Sequence, residues 1–149
     1  MSVPVRRRVR NQPIYHLVFL SRRTHGIWVF ADAVANARQG WMRALGPADD
    51  DRDDALFSFD DTVDQQVSNE QRAAQEVVAA NLRVLVAAGQ RVRLVDDPWS
   101  VFGDCYGVAT ESTVRKALRS LERTGELTVV GRAKQLREMI IMGPGPATP

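Results

Sequence analysis

Val114, Ala117, Leu118 and Leu121 recur at the i, i+3, i+4, i+7 spacing of one helical face. Thr110, just ahead of them, is a good N-cap, because its hydroxyl can accept from the unpaired amides of a first helical turn. Glu111 places a carboxylate in that turn, where the helix dipole favours it. Gly125 follows the last periodic residue and fits the left-handed position that ends helices. The pattern predicts a helix over 111–124. Upstream, Asp97 and Pro98 form a cap and first-turn pair. Trp99, Phe102, Cys105 and Tyr106 then make a short apolar stripe that stops at Gly107. This predicts a second helix over 98–106, joined to the first by a tight turn. Downstream, the β-rich runs "ELTVV" and "LREMIIM" flank the polar, basic "GRAKQ", as in a hairpin.

The rest of the chain reads in the same way. A long helix is predicted from about Asn69 to Ala88, with Ala74, Val77, Val78, Leu82 and Leu85 on one face and a stop at Gly89. "QRVRLVDD" is a short strand or extended link. Further forward, "IYHLVFLS" is a strand by its aromatic and branched content. "HGIWVFADAVANARQGWMRAL" is helical, with Ile27, Phe30, Ala31, Val34, Arg38, Trp41, Met42 and Leu45 near one side. A two-helix motif cannot bury its own core, so helix 69–88 must cover helices 98–106 and 111–124. Helix, tight turn, helix and basic-tipped hairpin is the order of a winged helix-turn-helix. The expected fold is therefore α/β in the broad sense (α+β): a winged helix-turn-helix with an N-terminal strand-helix appendage. The expected divisions are a basic arm plus appendage over 1–47, an acidic linker over 48–66, the winged domain over 67–143, and a disordered tail over 144–149.

Charge sharpens this division. The net charge of +2 over 149 residues hides a segregation. Residues 1–47 hold eight Arg against one Asp, residues 48–66 hold eight Asp against one Arg, and the remainder holds eleven Lys and Arg against nine acids. "DDDRDD" lacks the Gly turn or fixed geometry that a hard cation requires, so it reads as a solvated linker. A cover for the basic helix when DNA is absent is the electrostatic alternative.

The candidate chemistry is sparse. No apolar run approaches the roughly 18 residues of a membrane span, and "IYHLVFL" is too short and too far in for a signal-peptide core. The single cysteine, Cys105, rules out an intramolecular disulfide and fits a reducing, cytoplasmic setting. Its place on an apolar face makes it a buried inert thiol. His16 and His25 have no metal-ligand spacing, no serine has triad partners, and no phosphate loop is present. The expectation is a non-enzyme without cofactor or metal.

Two resemblances follow from the motifs. "VATESTVRKALRSLERTGELTVV" resembles the recognition helix and wing of GntR-like winged helices. It matches at Val108, Thr113, Val114, Arg115, Ala117, Leu118, Leu121 and Gly125, departs at Ala109 and Thr110, and spans about residues 98–142. "PIYHLVFLSRRTHGIWVFADAVANARQGW" resembles the segment preceding the winged helix in three-Cys-motif partner proteins, through Tyr15, Leu17, Phe19, Ser21, Arg22, Gly26 and Phe30. That second resemblance implies the C-terminal part of a larger, methyltransferase-like protein in a nucleic-acid-handling or mobile-element defence setting. It carries no activity across.

The functional candidates are basic. Ser112, Thr113 and Arg115 fall where base contacts form at the start of a groove-bound helix, with Lys116 and Arg119 behind them and Arg132 and Lys134 on the wing. Arg137 belongs to the same basic set. Arg115 is the first choice for specificity, since Arg bonds guanine in bidentate fashion. The expected function is binding of double-stranded DNA by a cytoplasmic, nucleoid-associated transcriptional regulator or defence module. The alternative is a protein–protein module, in which strand 14–20 pairs with a partner or with a second copy in a homodimer.

Overall fold

In the computed structural model, residues 2–5, 12–45 and 59–144 are described. The architecture is mixed α plus β. In chain order it comprises β1 (Ser2–Val5), β2 (Tyr15–Val18), α1 (Thr24–Leu45), α2 (Phe59–Val86), β3 (Val92–Arg93), α3 (Pro98–Phe102), α4 (Glu111–Arg123), β4 (Thr128–Gly131) and β5 (Ile140–Met142). Single 3-10 turns lie at Leu94–Asp96, Gly103–Cys105 and Leu136–Glu138. β1 and β2 form a two-stranded antiparallel ribbon, and the other strands make a three-stranded antiparallel sheet in the order β3-β5-β4.

The capping chemistry acts as the residue types require. The Asp97 carboxylate accepts from the Ser100 amide at 3.1 Å, with Pro98 in the first turn of α3. The Thr110 hydroxyl accepts from the Thr113 amide at 3.3 Å at the start of α4. Gly125, at φ +74°, closes α4 in the left-handed conformation that costs glycine nothing. Val114, Ala117, Leu118 and Leu121 are all buried, as their spacing predicts.

α2 is the central beam. Ala74, Val78, Leu82 and Val86 form its inner face and pack against α3 and α4. Leu94, Leu127, Leu136 and Ile141 close the same core from the sheet side. Val77, expected on this inner face, is instead exposed, and Leu85 is only partly buried. In the sheet, Val92 faces Ile141, and Val129 faces Ile141 from the other side. A bulge between Val129 and Gly131 then shifts the register.

Two expectations are corrected. The predicted linker over 48–66 extends too far, because α2 begins at Phe59, ten residues ahead of the expected start at Asn69. The physical reason is that Val63 and Val67 continue the i, i+4 row of the inner face and bury against Met42, with Trp41 packed beside them. Arg43 and Asp64, 2.9 Å apart, pair across the same junction. The dense aspartates hide this periodicity. Residues 46–58, the arm residues 6–11 and the tail residues 145–149 lie outside the described residues.

The second correction concerns the appendage. α1 is built into the main core through Trp28 and Ala31, both fully buried. Trp28 stands edge-on to Phe102, with ring centroids 4.9 Å apart. The buried face of α1 is therefore rotated from the expected one: Trp28, Ala31, Ala35 and Met42 point inward, whereas Ile27, Phe30 and Val34 are only partly covered. Arg38 pairs with Glu70 of α2 at 2.9 Å.

Candidate nucleic-acid interface

α4 has three distinct sides. The buried stripe faces α2. The opposite side carries Ser112, Lys116, Arg119 and Arg123, at i, i+4, i+7, i+11, and all four are exposed. Among the described residues, Lys116, Arg119 and Arg123 have no ion-pair partner. The flank between these sides alternates in sign. Arg115 is held by Glu111 one turn back, at 3.3 Å, and Arg132 reaches from the end of β4 to Glu122 at 2.7 Å.

The structure thus separates the expected site residues. Ser112, Lys116 and Arg119 share one open face. Arg132 and Lys134 are exposed in the segment between β4 and β5, and Arg132 is tied to α4 by its ion pair. Arg115 is half-buried on the paired flank. Arg137 is also half-buried, and it donates to Gln135 Oε1 at 2.5 Å. Leu136, beside it, is buried in the core, which draws this part of the segment inward and leaves Arg132 to Gln135 as its tip.

Thr113 is the exception and is corrected. It is buried, and its hydroxyl donates to Gln71 Oε1 at 2.5 Å and lies 3.0 Å from the Thr110 hydroxyl. Gln71 in turn donates through Nε2 to the Val108 carbonyl at 2.8 Å. This chain of polar contacts fastens the α3–α4 turn to α2 and leaves Thr113 no group to offer a base. The sequence carries part of the signal, since Thr113 borders the apolar stripe, one turn before Ala117. Arg123 is the converse omission: its i+11 relation to Ser112 puts it on the open face.

Sequence patterns give no sign of the role of Asp32. Its Oδ1 accepts from the Glu111 amide at 2.7 Å, so a carboxylate of α1 satisfies one of the free amides at the start of α4. Tyr106, ahead of the turn, donates its hydroxyl to the Ile27 carbonyl of α1 at 2.7 Å, and burial pushes its phenol up to about 12. At Gly107, φ is +73°, and a Cβ would meet Val34 Cγ1 at 3.0 Å. α1 thus lies directly against the turn between α3 and α4.

Cys105 is buried, its thiol donates to the Phe102 carbonyl at 2.7 Å, and desolvation pushes it up to about 11. A thiol so protonated is a poor nucleophile. Among the described residues, no group of three or more His, Cys, Asp and Glu side chains could hold a metal ion, and no helix is long and apolar enough to cross a membrane. What the open face can do is present cations and a hydroxyl at helical spacing. No family model, curated protein or solved structure matches the chain.

Proposed function

We propose that this protein binds double-stranded DNA as a winged helix-turn-helix, with α4 in the major groove and the segment from Arg132 to Gln135 as the wing. The carrying observation is the open face of α4. Three cations and a serine stand at i, i+4, i+7, i+11 without ion pairs among the described residues, directly opposite a fully buried stripe. The order α2, β3, α3, α4, β4, β5 and the strand order β3-β5-β4 support the winged-helix reading. On this reading Lys116, Arg119 and Arg123 meet phosphates or base edges, and Arg132 and Lys134 meet the backbone beside the groove. Arg115 contributes only after release from Glu111. The resemblance of residues 98–142 to GntR-like helices makes transcriptional regulation or a defence role the broader setting.

The test is a titration of labelled duplex fragments over a salt series. Removing one cation that meets a phosphate should lower the slope of log K against log salt by about one. Arg119→Ala and Arg123→Ala should each weaken binding and flatten the slope. Affinity that is insensitive to salt, or variants that bind as the parent does, would show that the face is only solvated.

A further inference from the structure

The ribbon of β1 and β2 has no place in the core, and its composition is wrong for a free surface. Ile14, Tyr15, Leu17, Val18 and Leu20 are 57%, 58%, 46%, 59% and 84% exposed. Phe19 turns inward and stacks on Phe30 of α1, with ring centroids 4.2 Å apart and planes within 7°. That stack fixes the ribbon to the body, so the apolar strand is held out from it. An isolated two-stranded ribbon is marginal in water and gains from further strands. The described residues of this chain supply none.

The two outer edges differ. Pro4 stands opposite His16 in the ribbon. Proline has no N–H, so this is a non-hydrogen-bonded pair, and the backbone groups of both residues point away from the ribbon. On the β1 edge that leaves a missing donor, which discourages a further strand. On the β2 edge it leaves the amide and carbonyl of His16 free to pair. Tyr15–Val18 also lack the Lys, Pro or carboxylate that protect an edge strand from association.

We propose that this edge is a self-association surface: β2 pairs antiparallel with β2 of a second copy, across a two-fold axis at His16, to make a four-stranded sheet. This register matches like with like. Tyr15 falls opposite Leu17 of the second copy, while Ile14, whose amide donates to the Val5 carbonyl of its own ribbon at 2.8 Å, lies outside the pairing. The two symmetry-related pairs beside the axis, Tyr15 with Leu17, are thus apolar on apolar, which is the unit of sheet stabilisation. An isologous contact of this kind closes on itself and leaves only the proline-bearing edges outside. At the exposures given, the five side chains present on the order of 600 Å² per copy, of which edge pairing covers the part nearest the axis. The proposal stands independently of the DNA reading.

Sedimentation or light scattering of the full chain should give twice the monomer mass at micromolar concentration, and Val18→Asp should give the monomer with an unchanged circular dichroism spectrum. His16→Cys tests the register. On the axis, two hydrogen-bonded partners have Cα atoms about 5.5 Å apart, within disulfide reach. Mild oxidation should therefore crosslink His16→Cys efficiently and Tyr15→Cys little, while the parent, whose one thiol is buried, stays uncrosslinked. A parent that is monomeric at every concentration, a dimer that survives Val18→Asp, or equal crosslinking at 15 and 16 would overturn the proposal.

Discussion

Replacing Trp28 by alanine should cost this protein a large part of its stability, although the residue lies in a segment whose sequence reads as an appendage. Trp28 is fully buried and stands edge-on to Phe102 in the main core. Truncating such a side chain costs about 3–5 kcal/mol through forfeited transfer energy and the cavity left behind. Marginal domains have only ~5–15 kcal/mol in total. Trp28→Phe separates packing from polarity. Trp28 Nε1 is buried and has no hydrogen-bond partner, and an unsatisfied buried donor costs about 1–3 kcal/mol. Phenylalanine gives up some volume but also removes that donor, so the two effects oppose, and the net change should be about 1 kcal/mol or less. Urea unfolding followed by circular dichroism measures both variants, with the m-value reporting whether the exposed area is unchanged. If Trp28→Ala falls within about 1 kcal/mol of the parent, α1 is not part of the core. If Trp28→Phe costs as much as Trp28→Ala, the opposition of packing and polarity is wrong.

Two further outcomes are expected. Thr113→Val leaves the Gln71 carbonyl oxygen without its donor, so it should lower stability by about 1–3 kcal/mol and leave the proposed DNA binding unchanged. The reverse pattern would restore Thr113 as a base-contacting residue. Stability should also fall in alkali, because burial raises the Cys105 thiol to about 11 and the Tyr106 phenol to about 12. Both contributions are complete below the unfolded values of about 8.5 and 10, since there neither state has given up its protons. Above these, the unfolded chain releases protons first, and the contributions are lost as pH rises through the folded values. Melting temperatures from pH 7 to 11 check this, and Cys105→Ala should remove the earlier part of the decline. A flat profile across that range would contradict the burial of both groups.

The pattern of apolar positions is enough to locate α3, α4 and their caps, because these depend on local chemistry. Asp97, Thr110 and Gly125 each act within a turn or two of their own position. The extent of α2 is not legible, because Val63 and Val67 lie among aspartates and declare themselves only against Met42, on another helix. The inward face of α1 escapes for a related reason. Trp28 is buried by Phe102, which is distant in sequence, and no local period ranks it above Ile27. At the candidate interface, the open face is readable from spacing, which adds Arg123 and removes Thr113. The pairings of Arg115 with Glu111 and of Arg132 with Glu122 differ in this respect. The first is an ordinary i, i+4 pair, and the second depends on how β4 leaves the sheet.

The bonds from Tyr106 to Ile27 and from Asp32 to Glu111 each join residues 79 apart in the chain. Their consequence is one of timing. α3 and α4 form their own turns quickly, but the connection between them is fixed only when a helix synthesised much earlier returns to it. Loop closure over such a span must be met before the contacts repay it, which slows folding relative to a bundle of local contacts. A nascent chain can dock α1 on α2, but it leaves Trp28 without Phe102 until the last third has emerged. Over that interval Trp28 and the strand Tyr15–Val18 form the apolar surface most in need of shielding, and newly made protein should be most prone to aggregate through them.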